Sequence, residues 1–362
     1  MKVIQIVPRL PPAIDGLGDY ALSLALQMRQ YFGIDTHFIV GEQRWVGEAH
    51  IDGFNISKIP RQSANTLTSM LGSNDFSAAT VLLHYVNYGY AKRGCPIWLV
   101  KGLQRWRNTT VKPSLITMFH EVYAYGFPAW TSSFWLSPLQ KRLASQLAQL
   151  SDRCFTSRKE YAALLYKLSQ GKHSEISTFP VFSTVGEPKQ VGALEKRDKK
   201  IVIFGSYAMR RNVYQKSSAE LFHACQLLDI EEIIDIGPSI QLTLPTIGSI
   251  PIIEMGQLSA PEVSKILLHS LAGFFDYIPG YLAKSTIFAA YCSHGMLPIS
   301  ARYNPSQLDG IEAGKQYWIP EKSAIGLPLN LQAIANYAHA WYQAHQLSVQ
   351  AKLFAEQLND LA

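Results

Sequence analysis

The chain has 362 residues, 48% of them hydrophobic and 17% charged, with a net charge of +6. That length exceeds one ordinary core and suits two domains of about 150–200 residues, and so apolar a composition excludes a disordered chain. Cys95, Cys154, Cys225 and Cys292 are scattered, with no CxxC pair and no histidine in metal-ligand spacing, which argues for buried thiols in a reducing compartment and against a disulfide scaffold or zinc site.

"KVIQIVP" reads as an apolar strand beginning at residue 2, which leaves no room for a leader segment before it. No stretch reaches the roughly 18 uninterrupted apolar residues of a membrane span, so the expected location is the cytoplasm. A proline-containing loop leads into "DGLGDYALSLALQMRQYF", which has helical periodicity. Gly16, Gly18 and Ala21 have the G-x-G-x-x-A spacing of a dinucleotide fingerprint, and Glu42 follows the second strand, "THFIV". A nicotinamide-dependent oxidoreductase is therefore one alternative. Against it, Pro8, Pro11 and Pro12 turn the tight turn into a long loop, and Asp19 at the helix start repels a pyrophosphate unless it is turned away. The plain alternative makes Asp19 an N-cap and gives the glycines to a turn.

Strand "TVLLHYV" (80–86) carries His84, a lone histidine of the kind that is usually structural. The segment 92–112 contains Lys92, Arg93, Lys101, Arg105 and Arg107 with no acid, interleaved with Trp98 and Trp106. A helix near 97–107 with that composition suits an anionic membrane surface; an ordinary surface helix is the plain alternative, and no motif points to nucleic acid. Strand "SLITMF" (114–119) ends at His120 and Glu121, before an aromatic loop with Tyr123, Tyr125, Phe127, Trp130, Phe134 and Trp135. A neighbouring carboxylate can tune an imidazole for proton work or orient it to a hydroxyl, and aromatic faces suit sugar rings. His120, Glu121 and Asp19 are thus the candidate catalytic groups, with Tyr123, Trp130 and Trp135 as acceptor contacts. Helix 137–150, strand 153–157 and helix 158–168 continue an alternation that predicts a parallel sheet covered on both faces.

The polar stretch "STVGEPKQVGALEKRDKK" reads as a linker. The predicted organisation is an N-terminal domain over 1–182, a linker over 183–199, a second domain over 200–340 and a C-terminal helix over 341–362. In the second domain, strand "KIVIFGS" runs into Ser206, Arg210 and Arg211, read as a loop before helix 217–229. Two arginines there could clamp a diphosphate, because each guanidinium presents parallel donors to phosphate oxygens. Strands 231–237 and 250–256, helix 260–270 and strand 271–276 follow. A helix then opens on Lys284, Ser285 and Thr286, after Asp276, Gly280 and Tyr281. Free N–H groups at a helix start attract anions, and a lysine there is unfavourable without one. Ser285 as a plain N-cap beside a solvated lysine is the alternative. Ligands of open parallel sheets lie at the carboxyl ends of the strands.

In this order the segments resemble the GT-B glycosyltransferases, in particular the family 4-like group. "DGLGDYALSLA", with Gly16 and Gly18, resembles that family's glycine-rich loop after strand one. "FHE" is similar to its strand-end histidine on the donor sugar, and "FGSYAMRR" to its basic diphosphate loop. "IEMGQLSAPEV", with Met255, Gly256 and Leu258, resembles the glycine turn under the nucleotide base. "LLHYVNYGY" and "FHEVYAYGFPAWTSSFWLSPLQKRLA" resemble cyanobacterial exopolysaccharide and heterocyst envelope polysaccharide glycosyltransferases. The family's paired glutamates are absent: Asp276 stands at the first position, but the second is Lys284.

The resemblance implies two Rossmann-like domains with parallel sheets facing across a cleft, and a C-terminal helix returning to the first domain. It implies transfer of a hexose, with UDP-glucose as the first donor to try, to a saccharide or lipid-linked acceptor at the inner face of the plasma membrane. Neither a metal nor a permanently bound cofactor is expected. The alternatives are a non-hydrolysing UDP-sugar 2-epimerase of the same build, the nicotinamide-dependent oxidoreductase, and a catalytically silent sugar-binding protein.

Overall fold

The structure, a computed structural model, describes residues 1–13, 15–73, 80–110, 113–126, 128–240, 246–320 and 330–361. The chain divides into two units, Met1–Pro180 with Leu347–Ala362, and Val181–Gln346. The first runs β1 (Lys2–Val7), α1 (Gly16–Phe32), β2 (Asp35–Val40), β3 (His50–Ile51), β4 (Phe54–Lys58), α2 (Ala64–Leu71), β5 (Thr80–Tyr85), α3 (Asn87–Tyr90), α4 (Ile97–Thr109), β6 (Leu115–Phe119), α5 (Ser132–Leu150), β7 (Arg153–Thr156), α6 (Lys159–Leu168) and β8 (Ser177–Thr178). Its eight strands lie in the order β3-β4-β2-β1-β5-β6-β7-β8. Every neighbouring pair is parallel except β3–β4.

The second unit runs β9 (Asp198–Phe204), α7 (Tyr207–Lys216), α8 (Ser218–Leu227), β10 (Glu232–Ile236), β11 (Thr246–Ile247), β12 (Ile250–Gly256), α9 (Ala260–His269), β13 (Ser270–Phe275), α10 (Thr286–Ser293), β14 (Leu297–Ser300) and α11 (Leu331–Gln343). Its six strands have the order β11-β12-β10-β9-β13-β14, parallel except for the β11–β12 hairpin. The last helix, α12 (Leu347–Asn359), belongs to the first unit and packs on α1. The two sheets are the parallel, helix-covered sheets that the apolar strand runs predict.

The central strands are near-continuous apolar runs because both faces are covered; β1, β5 and β6 are buried over almost their whole length. Asp15 starts α1 by accepting a hydrogen bond from the Leu17 N–H at 3.2 Å, a cap worth about 1 kcal/mol. Gly33 ends it in the left-handed conformation, φ +64°, where glycine alone adopts the turn without strain.

Four expectations change. α5 begins at Ser132, before the expected 137, because Thr131 caps it and Pro138 lies inside the helix. Arg210 and Arg211 lie within helix α7 and not on a loop. The basic helix α4 turns its apolar side inward: Leu99, Val100, Leu103 and Trp106 are buried, and Trp98 is partly buried with its indole N–H donating to Tyr90 O at 3.1 Å. Its tryptophans are packing residues, so that helix has no aromatic face to offer a membrane. Residues 183–199 are solvated only in part. Leu194 joins the core of the second unit, and the buried Arg197 guanidinium donates to the carbonyls of Gly192, Leu267, Ser270 and His294.

Candidate functional sites at the carboxyl edges of the two sheets

In the first unit the strand ends of β1, β5 and β6 gather the start of α1 with His84, His120 and Glu121. His120 follows β6 and extends its ladder, its N–H donating to Tyr85 O at 2.9 Å. His84 is fully buried in β5, where burial holds its pKa down at about 3. Its Nδ1 lies 3.2 Å from His120 Nε2, and its Nε2 lies 2.8 Å from Gln5 Oε1 on β1. The histidine that looks structural in the sequence is thus bonded to the candidate catalytic one. Tyr20 of α1 meets both rings edge-on, at centroid distances of 5.9 Å and 5.1 Å. Its hydroxyl donates to Gln350 Oε1 of α12 at 2.8 Å, and Gln350 donates onward to Pro180 O at 2.7 Å.

Asp19 stands in the first turn of α1 but does not cap it, since Asp15 does. Burial, with Asp15 nearby, raises the Asp19 pKa to about 6. Gly18 is buried where α1 meets the preceding loop: a Cβ there would stand 2.6 Å from Arg9 O, so only glycine fits. Gly16, the first residue of α1, is exposed.

Glu121 and Tyr123 are half-buried, and the Tyr123 ring lies 5.6 Å from that of Tyr125. Phe127 lies outside the described residues. Trp130 (87% exposed) and Trp135 (72%) stand in solvent at the start of α5, together with Phe134 and Leu139. Lys141 and Arg142, one to two turns on, are also exposed, and there is no acid between Glu121 and Asp152.

The second unit collects its candidates at the ends of β9, β10, β12 and β13. Gly205 and Ser206 follow β9, and exposed Ser206 precedes α7 without making a side-chain cap. Arg210 is not the solvent-facing clamp expected from the sequence. It is 1% exposed, paired with Asp235, and donates to the carbonyls of Gly205 and Pro238. Tyr214 donates to the other Asp235 oxygen at 2.8 Å. The knot explains Gly237, φ +145°, where a Cβ would stand 2.3 Å from Gly205 O and 2.7 Å from Arg210 Nε. Arg211 is exposed, its guanidinium 5.8 Å from the centre of the Tyr207 ring.

Asp276 is also committed: it is buried and holds the half-exposed Arg302 through both carboxylate oxygens. Gly280 and Tyr281 lie in a short 3₁₀ turn, Pro279–Lys284, whose last residue is Lys284. Lys284 therefore precedes α10 and does not begin it; its ammonium sits 5.6 Å from the Tyr281 ring centre. Ser285 is the N-cap, accepting from the Phe288 N–H at 3.2 Å, and Thr286 is the first helical residue. The capping role kept as the alternative for Ser285 is the one the structure has.

Gly256 ends β12 with φ +68°, next to exposed Met255. Met255 and Leu258 line a cavity of about 510 Å³ over one sheet face, with Ile234, Ile253 and Ile266 as its apolar floor. Ser206, Arg211 and Lys284–Thr286 are not among its lining residues. Among the described residues no group of three or more His, Cys, Asp or Glu is arranged to hold a metal ion. None of the helices there is long and apolar enough to cross a membrane.

No protein-family model and no curated protein matches this sequence. Solved structures do match over its full length. A glycosyltransferase from Rickettsia africae is 12% identical with a TM-score of 0.60, covering 99% of this chain and 98% of that one. The lipopolysaccharide outer core galactosyltransferase WaaB is 12% identical with a TM-score of 0.55, covering 99% and 100%. The UDP-GlcNAc 2-epimerase from Neisseria meningitidis, solved with UDP-GlcNAc bound, is 15% identical with a TM-score of 0.56, covering 99% and 100%. The fold is that of the GT-B glycosyltransferases and of this epimerase. At such identities the likeness concerns the fold alone.

Proposed function

We propose that the protein is a sugar-nucleotide-dependent glycosyltransferase that moves a hexose from a UDP-sugar, UDP-glucose being the first to try, to a saccharide or lipid-linked saccharide. The observation that carries this reading is the gathering of polar and cationic side chains at the carboxyl edge of each parallel sheet, where open α/β sheets bind ligands. In the second unit, Met255, Gly256 and Leu258 take the base. Ser206, the start of α7, Arg211, Lys284 and Thr286 take the diphosphate, the group on which negative charge grows as the glycosidic bond breaks. These cations can stabilise the leaving diphosphate without a metal. Arg210 supports that edge from inside. In the first unit, His120 is assigned to the hydroxyls of the transferring sugar, Asp19 and Glu121 to proton transfer, and Tyr123 to the acceptor. Trp130 and Trp135, with Lys141 and Arg142, suit an anionic lipid surface carrying that acceptor. Envelope or exopolysaccharide synthesis is the process such a product serves.

The 2-epimerase is the second reading, favoured by the likeness to a structure with UDP-GlcNAc bound. Release of UDP from a panel of UDP-sugars, with and without oligosaccharide acceptors, separates the two. Acceptor-dependent UDP release supports the transferase; conversion of the sugar without an acceptor supports the epimerase. A thermal shift with NAD but not UDP would instead favour the oxidoreductase.

A further inference from the structure

A line of hydrogen bonds runs beneath the carboxyl edge of the first sheet, from Thr36 on β2 through Gln5 on β1 and His84 on β5 to His120. The Gln5 Nε2 donates to Thr36 Oγ1 at 3.4 Å, and its Oε1 lies 2.8 Å from His84 Nε2. An amide oxygen can only accept, so His84 Nε2 carries the proton. His84 is buried and neutral, with one proton to place. Its Nδ1 is therefore an acceptor, and His120 Nε2, 3.2 Å away, must be the donor. The ring planes leave little freedom to change partners. The two imidazoles lie 27° from parallel with centroids 5.5 Å apart, and Tyr20 stands edge-on to both.

We propose that His84 is a positioning residue that fixes the tautomer of His120: the buried Gln5 amide sets the His84 proton on Nε2, and His84 holds the His120 proton on Nε2, leaving the lone pair on His120 Nδ1. Toward a ligand a neutral His120 is then an acceptor at Nδ1, suited to the hydrogen of a sugar hydroxyl and unsuited to donating to a carbonyl or phosphoryl oxygen. Turning the Gln5 amide over would reverse every proton along the line, so the whole arrangement depends on one buried side chain 115 positions from His120 in the sequence.

The tautomer of His120 is independent of any reaction; its preference for a sugar hydroxyl rests on the glycosyltransferase reading. The first measurement uses the intact wild-type chain labelled with ¹⁵N-histidine, with the His120 signals identified by their loss in His120→Gln. At pH 8 the expected spectrum shows a protonated Nε2 and an unprotonated Nδ1. A protonated Nδ1, or fast averaging of both tautomers, overturns the proposal whether or not any transfer is found. The second measurement compares His84→Asn, whose amide oxygen takes the place of the accepting Nδ1, with His84→Leu, which removes it. With UDP-sugar and acceptor, His84→Leu is expected to lower kcat at least tenfold with an unchanged UDP Kd, and His84→Asn to recover most of that loss. Equal loss in both variants, or loss that follows only their folded fraction, would make His84 a packing residue. A wild type that transfers no sugar would sink the glycosyltransferase reading and leave the spectrum to decide the tautomer.

Discussion

Arg210 and Asp235 form an ion pair in which each side chain is 1% exposed, at the point where the ends of β9 and β10 meet. Each guanidinium nitrogen donates: one to Asp235, and the others to the Gly205 and Pro238 carbonyls. Removing one member of such a pair strands a buried charge, which costs about 3–5 kcal/mol. Arg210→Ala is therefore expected to lower stability by several kcal/mol, read as a drop in the denaturant midpoint. Arg211→Ala, on the exposed side of the same helix, should leave that midpoint within error. A stable Arg210→Ala that merely binds nucleotide poorly would restore Arg210 to the diphosphate.

On the proposed reading, the nucleotide phosphates are then left to Arg211 and Lys284. Losing one charge-assisted contact to a phosphate costs about 1.5–3 kcal/mol, or roughly ten- to a hundredfold in Kd. Lys284→Ala and Arg211→Ala are each expected to raise the UDP Kd at least about tenfold, with the melting temperature nearly unchanged, by calorimetric titration of UDP. Unaltered affinity in both would move the diphosphate elsewhere on the edge of the sheet.

Why Arg210 turns inward while Arg211 stays exposed, although both lie on α7, follows from how that helix packs. In "YAMRRNVYQK" the inward stripe is Arg210, Val213 and Tyr214, so a charged residue occupies a core position and the apolar period disappears. The strands were legible because β1, β5 and β6 are apolar almost without a break. The α4 and α5 helices both carry tryptophans and basic residues, and composition does not say which face is covered. In α4, which packs on α2, Leu103 and Trp106 are buried, whereas Trp130 and Trp135 stay exposed. The pairing of His84 was not legible: its partner Gln5 lies 79 residues away inside an ordinary strand.

Asp19 gives a pH dependence with a defined sign. Its pKa is raised in the folded protein from 3.8 to about 6, chiefly by burial and then by Asp15. The fold thus favours the protonated form, and its contribution to stability falls as pH rises from about 4 through 6. Asp19→Asn is expected to gain stability at pH 7.5 and to change little at pH 4, measured as urea midpoints at both pH values. An equal change at both would mean that the carboxyl is not held away from water.

Membrane contact, if α5 makes it, should follow the exposed residues. Each basic group near an anionic surface contributes about 1 kcal/mol, weakened by salt. Co-sedimentation with phosphatidylglycerol vesicles should fall several-fold in Trp130→Ser/Trp135→Ser and in Lys141→Ser/Arg142→Ser. Lys101→Ser/Arg105→Ser on α4 should have a smaller effect, since no exposed aromatic accompanies those charges. Equal recovery with neutral and anionic vesicles would assign the aromatic residues to a soluble acceptor.

His120 offers the sharpest division between chemistry and architecture. It is half-buried at the end of β6, bonded to a buried neighbour and next to Glu121. A contact that strengthens as the glycosidic bond stretches lowers turnover when it is lost and leaves nucleotide affinity alone. Truncating a packing histidine instead leaves a cavity and an unpaired partner, and lowers stability. His120→Ala is expected to stay folded, with a modest loss of stability from the unpaired His84 Nδ1, and to keep its UDP Kd while losing at least about 100-fold in turnover with UDP-glucose, or about 2.7 kcal/mol of transition-state stabilisation. Melting temperature, UDP Kd and turnover from one preparation decide it. A destabilised protein with near-normal activity in its folded fraction would make His120 architectural and move the search for the catalytic group to Asp19.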